Sequence, residues 1–286
     1  MPKGKTVGII SIKGGVGKTT TVSNLAASLA NDFGKKVLVI DANFSAPNIG
    51  FYLGLKEPKF TIQDILSDKV PASEAIYKHE LGFHVIPSTI MQSKINPFDL
   101  KKKIAHLKEY YDIILLDSSP NLNDEILATM VASDELYAVT SPDMPTLACT
   151  MHAVKMAKQK NSKIKGIILN KVRNKRFEIK IGDVENATGV PVLALLPDDV
   201  MVLESLSKTT PTTAYSPKRE VAVEYKKLAG CIAGQEFVDN RMRAKVKSLF
   251  RMDMGKQEVN RAAFLKDLQG AVEVPIADVD NDIKKK

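Results

Sequence analysis

Residues 11–21 read SIKGGVGKTTT, a short span holding three glycines, two lysines and a run of hydroxyls. Those residue types share one chemistry, which is holding phosphate. Gly14, Gly15 and Gly17 let successive backbone N–H groups curl around phosphate oxygens with no Cβ in the way. The segment follows the β-branched run TVGIIS and opens a helical pattern from Thr19 to Asn31, so a helix N-terminus adds its positive dipole end. Lys18 is placed to neutralise the β- and γ-phosphates of a nucleotide, and the Thr19 hydroxyl to bind Mg²⁺. A glycine turn that merely contains lysine would leave this register of strand, loop and helix unexplained. Lys13 stands at the start of the loop, where its side chain does not easily fold back onto the same phosphates.

Two carboxylates extend the set. Asp41 ends the apolar run KVLVID and is followed by the irregular ANFSAPNIG; Asp117 ends DIILLD. An aspartate that ends a buried strand is costly unless it faces a cation or hydrogen-bond donors. Asp117 therefore reads as a carboxylate turned toward Mg²⁺ through water, the other reading being a helix N-cap. Cys149 and Cys231 form no CxxC pair, and His79, His84, His106 and His152 lack ligand spacing, which argues against a zinc site.

The elements that must position these groups alternate along the chain. Strand-like runs are TVGIIS, KVLVID, FHVIPS, DIILLD, ELYAVT, KIKGIILN and VPVLALL; helical patterns include Leu100–Glu109, Leu147–Gln159 and Val200–Lys208. Such alternation predicts an α/β fold with a mainly parallel sheet and helices on both faces. Ligands of such sheets bind beyond the carboxyl ends of the strands, where the phosphate loop, Asp41 and Asp117 all fall. The 286 residues are 44% hydrophobic and 26% charged, enough for a large core. Apolar runs such as IILLD and GIILN are far short of a membrane span of about 20 residues. The start, MPKGKTVGII, lacks the apolar region of a signal peptide, so a cytoplasmic location is expected. A net charge of +8 suits an anionic partner, nucleic acid or an acidic membrane surface.

The strict GxxxxGK[ST] pattern fails at its first position, where Ile12 replaces glycine. What remains, Lys13-Gly14-Gly15-Val16-Gly17-Lys18-Thr19-Thr20, resembles the deviant Walker A motif of the MinD/ParA family of ATPases. DANFSAPNIG is similar to the corresponding segment of archaeal-type MinD-like proteins. The resemblance covers about residues 5–235 and implies a P-loop NTPase fold of the SIMIBI class, with residues 1–235 as the ATPase domain and ATP and Mg²⁺ as cofactors. It implies that residues 13–20 hold the nucleotide. It also implies that Lys13 reaches across an ATP-bound homodimer to the phosphates of the other subunit, as a catalytic cation alongside Lys18. Residues 41–50 and 117–122 would be switches I and II, with Thr19, Asp41 and Asp117 at the metal. Asn170, which alone reads as a turn residue, would meet the adenine edge, and Pro197 and Asp198 would complete the base pocket. SPDMPTL, ahead of the Ala148–Gln159 helix, matches the family's segment near the dimer face.

One departure bears on catalysis. Many members carry D-x-D at switch I, the second aspartate positioning the attacking water; here the run is Asp41-Ala42-Asn43. An amide orients water but does not accept its proton at neutral pH. Hydrolysis is therefore expected to be slow, or to rely on Asp41 and the substrate phosphate.

After Gln235 the strand alternation stops. Val238, Met242, Val246, Leu249 and Phe250 share one face of a helix, with Arg241, Arg243, Lys245, Lys247 and Arg251 on the rest. This resembles in kind the membrane-targeting helix of MinD proteins; a helix packed on the core, or one that binds a protein partner, are the other readings. GKQEVNRAAFLKDLQG is a second possible helix, bounded by Gly255 and Gly270. The chain thus divides into residues 1–235, a helical extension at 236–269 and a polar tail at 270–286. The expected function is an ATP-dependent dimerising switch that positions a partner or complex at a cellular surface, the inner face of the membrane. Two alternatives remain. One is a ParA-like DNA-segregation ATPase whose cluster KNSKIKG…NKVRNKRFEIK holds DNA non-specifically; the other is a weakly hydrolysing, nucleotide-bound scaffold, which Asn43 keeps open. The isolated cysteines argue against an iron–sulfur carrier and against a nitrogenase-iron-protein-like reductase.

Overall fold

The computed structural model describes residues 3–55, 57–90, 95–239, 241 and 255–270. Its strands are β1 (Lys5–Ile10), β2 (Val37–Ala42), β3 (Tyr77–Lys78), β4 (His84–Ile86), β5 (Ile113–Ser118), β6 (Glu135–Thr140), β7 (Ile164–Val172) and β8 (Val192–Pro197). They form a sheet in the order β3-β4-β2-β5-β1-β6-β7-β8. Every pairing is parallel except β3 with β4. Parallel strands covered on both faces must be apolar throughout, and VLVIDA of β2 and IILLDS of β5 are buried at every position. Register sets the chemistry at their ends: Asp41 pairs with Asp117 across β2 and β5, and Asp117 with Ile9 across β5 and β1. Both carboxylates thus emerge next to the loop that leaves β1.

The helices are α1 (Lys18–Asn31), α2 (Ile49–Tyr52), α3 (Ile62–Leu66), α4 (Leu100–Ile104), α5 (Asp124–Ala132), α6 (Met144–Gln159), α7 (Ile181–Thr188), α8 (Val200–Ser207), α9 (Thr212–Tyr215), α10 (Glu220–Ala233) and α11 (Lys256–Gly270). Leu25 and Leu29 of α1 pack with Tyr225 and Leu228 of α10 on one face of the sheet, against Val7, Val39 and Leu115. Residues from α3 and α4 cover Leu38, Ile40 and Leu116 on the other face, and α5, α6 and α7 cover Ile10, Leu136 and Ile167. The expected helix at Leu100–Glu109 tightens after Ile104 into a 3-10 turn. The expected strand FHVIPS is trimmed to His84–Ile86, because Pro87 has no N–H for the ladder; its carbonyl accepts from Ile62 N–H at 2.9 Å instead.

The second helix expected after Gln235 is α11, and it lies against the edge strand β8. Arg261, 6% exposed, donates at 2.8 Å to the carbonyl of Leu193, a residue skipped where the β7–β8 register shifts. The same guanidinium bonds Glu224 of α10 at 3.0 Å, and Asn260 donates to the Val192 carbonyl at 2.8 Å. An open edge and an orphaned carbonyl are both closed in this way. Most of the basic helix expected at 238–252 lies outside the described residues. Val238, Asp239 and Arg241 are described and are not helical. Arg241 is tied to Asp239 at 2.7 Å and to the Lys218 carbonyl at 3.1 Å.

Candidate functional site

The phosphate loop connects β1 to α1. Gly15 (φ +75°) and Gly17 (φ +97°) are left-handed, which glycine adopts without strain. At Gly17 there is also no room, since a Cβ would run into the Asn170 amide. Lys18 is buried at the first position of α1; burial pulls its ammonium below the usual lysine range, and the charge of Asp117 acts in the opposite sense. Thr19 Oγ1 donates to Asp117 Oδ2 at 2.7 Å. The other oxygen of Asp117, Oδ1, is buried and has no protein partner among the described residues.

Asp41 holds the segment that follows β2, where the resemblance placed switch I. Its Oδ2 accepts from the N–H groups of Asn48 (3.0 Å) and Ile49 (3.1 Å), and its Oδ1 from Asn43 N–H at 3.1 Å. Residues 43–49 are therefore wrapped around one carboxylate. Burial raises the pKa of both aspartates, and in Asp41 repulsion by Asp117 raises it further, while Thr19 and Lys18 restrain the rise in Asp117. Two buried carboxylates side by side call for a cation, and with an orphaned oxygen and the Thr19 hydroxyl they form a hard oxygen donor set that suits Mg²⁺. Asn43 is 3% exposed. Its Nδ2 donates to the Ala46 carbonyl, and its Oδ1 is buried without a partner among the described residues. The amide is thereby oriented with an acceptor free.

Lys13 points away from its own loop. Its Nζ donates to Thr146 Oγ1 at 2.9 Å and lies 3.6 Å from Asp143 Oδ1, with the side chain 40% exposed. Asp143 is the N-cap of α6, accepting from Thr146 N–H at 2.9 Å. Asn170 is brought to the back of the loop, where Nδ2 donates to the Val16 carbonyl at 2.7 Å and Oδ1 accepts from Lys171 N–H at 2.9 Å. Pro197 ends β8, and Asp198 pairs with Arg173 at 2.6 Å. Thr20 offers its carbonyl to Asn24 at 2.9 Å, within α1. Sequence reasoning took no notice of Thr146 as the partner of Lys13, nor of Lys171, whose ammonium reaches the Gly15 carbonyl at 2.8 Å. Only its place one residue past Asn170, near the end of β7, could have singled out Lys171.

The family described as "AAA domain" matches residues 4–169, which include the loop, both aspartates and α6. An uncharacterized ATP-binding protein of Methanocaldococcus jannaschii is 30% identical over 261 residues, 85% of this chain and 97% of the relative. The cell division ATPase MinD of Pyrococcus furiosus superposes with a TM-score of 0.76 at 31% identity, over 80% of this chain and 98% of that one. The chain belongs to the MinD/ParA family of P-loop ATPases. The septum site-determining protein MinD of Pyrococcus horikoshii, solved with Mg-ADP, gives the same TM-score of 0.76 at 29% identity, over 80% of this chain and 95% of that one. The basic cluster that suggested DNA binding is divided by the family fold. Lys160 and Lys163 precede β7, whereas Arg173, Lys175 and Arg176 follow it, and a nine-residue strand spans about 30 Å.

Proposed function

We propose that this chain is an ATP-dependent dimerising switch that pairs with a second copy across its nucleotide face, separates after hydrolysis, and positions a protein partner at a cellular surface. The observation that carries this reading is Lys13. It is a half-exposed cation on the nucleotide face whose ammonium turns toward α6 and not onto its own loop. Phe51, Leu122, Met144, Phe177, Val200 and Leu203 are all more than half exposed, each in a segment that, like that of Lys13, follows the carboxyl end of a strand. Exposed large apolar groups around a charged site suit a surface that another protein covers.

In this reading the N–H groups and side chains of residues 13–20 hold ATP, with Lys18 on its own phosphates and Lys13 given to those of the partner. Thr19, Asp41 and Asp117 hold Mg²⁺, which neutralises charge on the phosphates and withdraws electron density from them. Asp41 also keeps switch I folded, so its carboxylate links the state of the metal to the shape of residues 43–49. Asn43 orients the attacking water through Oδ1 without taking its proton. Asn170, Pro197 and Asp198 meet the adenine, the Asn170 amide through its second Nδ2 hydrogen and its second Oδ1 lone pair.

The similarity to cell division and septum site-determining proteins supports a positional role. The membrane is the surface we favour, reached through the basic stretch at 238–252, which is largely outside the described residues. No helix among the described residues is long and apolar enough to cross a membrane, so attachment would be peripheral. Light scattering tests the switch: ATP with Mg²⁺ should double the mass, and ADP should not. A mass unchanged by ATP would remove the reading.

A further inference from the structure

Near the end of strand β7, just before its last residue Val172, stand two residues whose side chains both turn back onto the phosphate loop. Asn170 Nδ2 donates to the Val16 carbonyl at 2.7 Å, and Lys171 Nζ to the Gly15 carbonyl at 2.8 Å. Next in line, the Gly17 carbonyl accepts from the N–H and the hydroxyl of Thr21 at 2.9 and 2.8 Å. Three consecutive carbonyls are thus each held from outside the loop. A peptide unit is planar, with its C=O and N–H pointing opposite ways. Fixing the Gly15 carbonyl therefore aims the Val16 N–H, fixing that of Val16 aims the Gly17 N–H, and fixing that of Gly17 aims the Lys18 N–H. Among the described residues none of these three N–H groups has a protein acceptor, and they are the donors a phosphate takes.

The backbone at Lys171 is left-handed, with φ +58°, a conformation in which a lysine is strained and glycine or asparagine is the ordinary choice. Such strain persists where neighbours over-determine it. Here the Lys171 N–H is held by Asn170 Oδ1 and its ammonium by the loop. We infer that Lys171 is a positioning residue of the nucleotide site: its ammonium holds the Gly15–Val16 peptide so that the Val16 N–H faces the phosphate. The cation also polarises that peptide, which makes its N–H a stronger donor. Lys171 does not itself touch the phosphate. The inference rests on the nucleotide site proposed above and assigns that site a third lysine, distinct from Lys13 and Lys18.

The test titrates a fluorescent ADP analogue into the full-length protein and four variants, with thermal midpoints taken without nucleotide. Lys171→Met keeps the aliphatic stem and loses the ammonium; affinity should fall about tenfold, the scale of a hydrogen bond to a charged group, with the midpoint unchanged. Lys171→Gly loses the ammonium and relaxes the backbone, so affinity should fall as far while the midpoint stays level or rises. Lys171→Arg should restore binding. Lys18→Ala separates the two layers of the argument. If it binds like the wild type, the nucleotide site is misassigned and this inference goes with it. If Lys18→Ala loses binding while Lys171→Met binds normally, the role of Lys171 alone is overturned. Loss of affinity together with a lowered midpoint in both Lys171→Met and Lys171→Arg would also overturn it, because the lysine would then be serving the local fold.

Discussion

Asn43 stands where a carboxylate could serve as base, and its surroundings make its chemistry specific. With Nδ2 held by Ala46 and Oδ1 free among the described residues, it would, on the proposed reading, align a water and leave the proton to another acceptor. Asn43→Asp should therefore raise the single-turnover rate of hydrolysis, by roughly a hundredfold if the new carboxylate is well placed; a rate unchanged at equal ATP affinity would move water activation elsewhere. Asp41 gives a second residue-scale prediction. Its folded-state pKa is raised by burial and by Asp117, so the folded protein holds a proton that the unfolded chain releases. Stability of the nucleotide-free protein should then fall as pH rises above about 4, the unfolded value. Asp41→Asn keeps one of the two acceptors for the N–H groups of residues 43–49 and removes the charge. It should lessen this dependence in thermal melts from pH 5 to 8, leaving the part that buried Asp117 contributes below about 6, while abolishing the stabilisation that Mg-ATP gives the wild type. At this scale the loop was legible because glycine, lysine and hydroxyl chemistry is local and ordered in sequence. The left-handed Lys171 was not, because nothing in a lysine announces a positive φ.

The elements were legible to the extent that burial on both faces shapes them. Central strands read as unbroken apolar runs and were found nearly to the residue, whereas β3, two residues at the antiparallel edge, leaves no periodic trace. α11 was expected as a helix, but its seat depends on a register shift in β8 that no local pattern encodes. The structure makes Arg261 the residue that holds this seat. Arg261→Ala leaves Glu224 buried with Lys227 at 3.0 Å as its remaining cation among the described residues and frees the Leu193 carbonyl. It should destabilise the protein by about 3 kcal/mol in urea titration. Lys256→Ala, which removes a half-exposed pair with Glu185, should change stability by under about 1 kcal/mol. Equal effects would mean that α11 is held by its apolar contacts alone.

For the whole molecule, strand order was out of reach of the sequence, since pairing Asp41 with Asp117 joins positions 76 residues apart. The consequence for surface attachment is practical. Removing everything after Gln235 would also strip α11 from β8, so lost vesicle binding after such truncation would not isolate the basic stretch. Phe250→Glu is the cleaner change. If residues 238–252 attach to an anionic membrane, each cation adds about 1 kcal/mol and pairing two copies adds far more through avidity. Co-sedimentation with anionic vesicles should then require ATP and should fail in Phe250→Glu, with ATP-driven dimerisation intact. Binding that survives this change would place the attachment elsewhere on the chain.

The central claim is that Lys13 acts on the other subunit's nucleotide, and mixing two inactive variants tests it most directly. Lys13→Ala keeps a complete phosphate loop and lacks the donated cation; Lys18→Ala keeps the donated cation and lacks its own site. Each alone should hydrolyse ATP about a hundredfold or more below the wild type. In a mixed dimer, the site of the Lys13→Ala subunit receives Lys13 from its partner and is whole again. Turnover should therefore reappear on mixing and rise with the share of mixed dimer. If the two variants form mixed dimers that hydrolyse no faster than the separate proteins, Lys13 serves its own loop and the account is wrong.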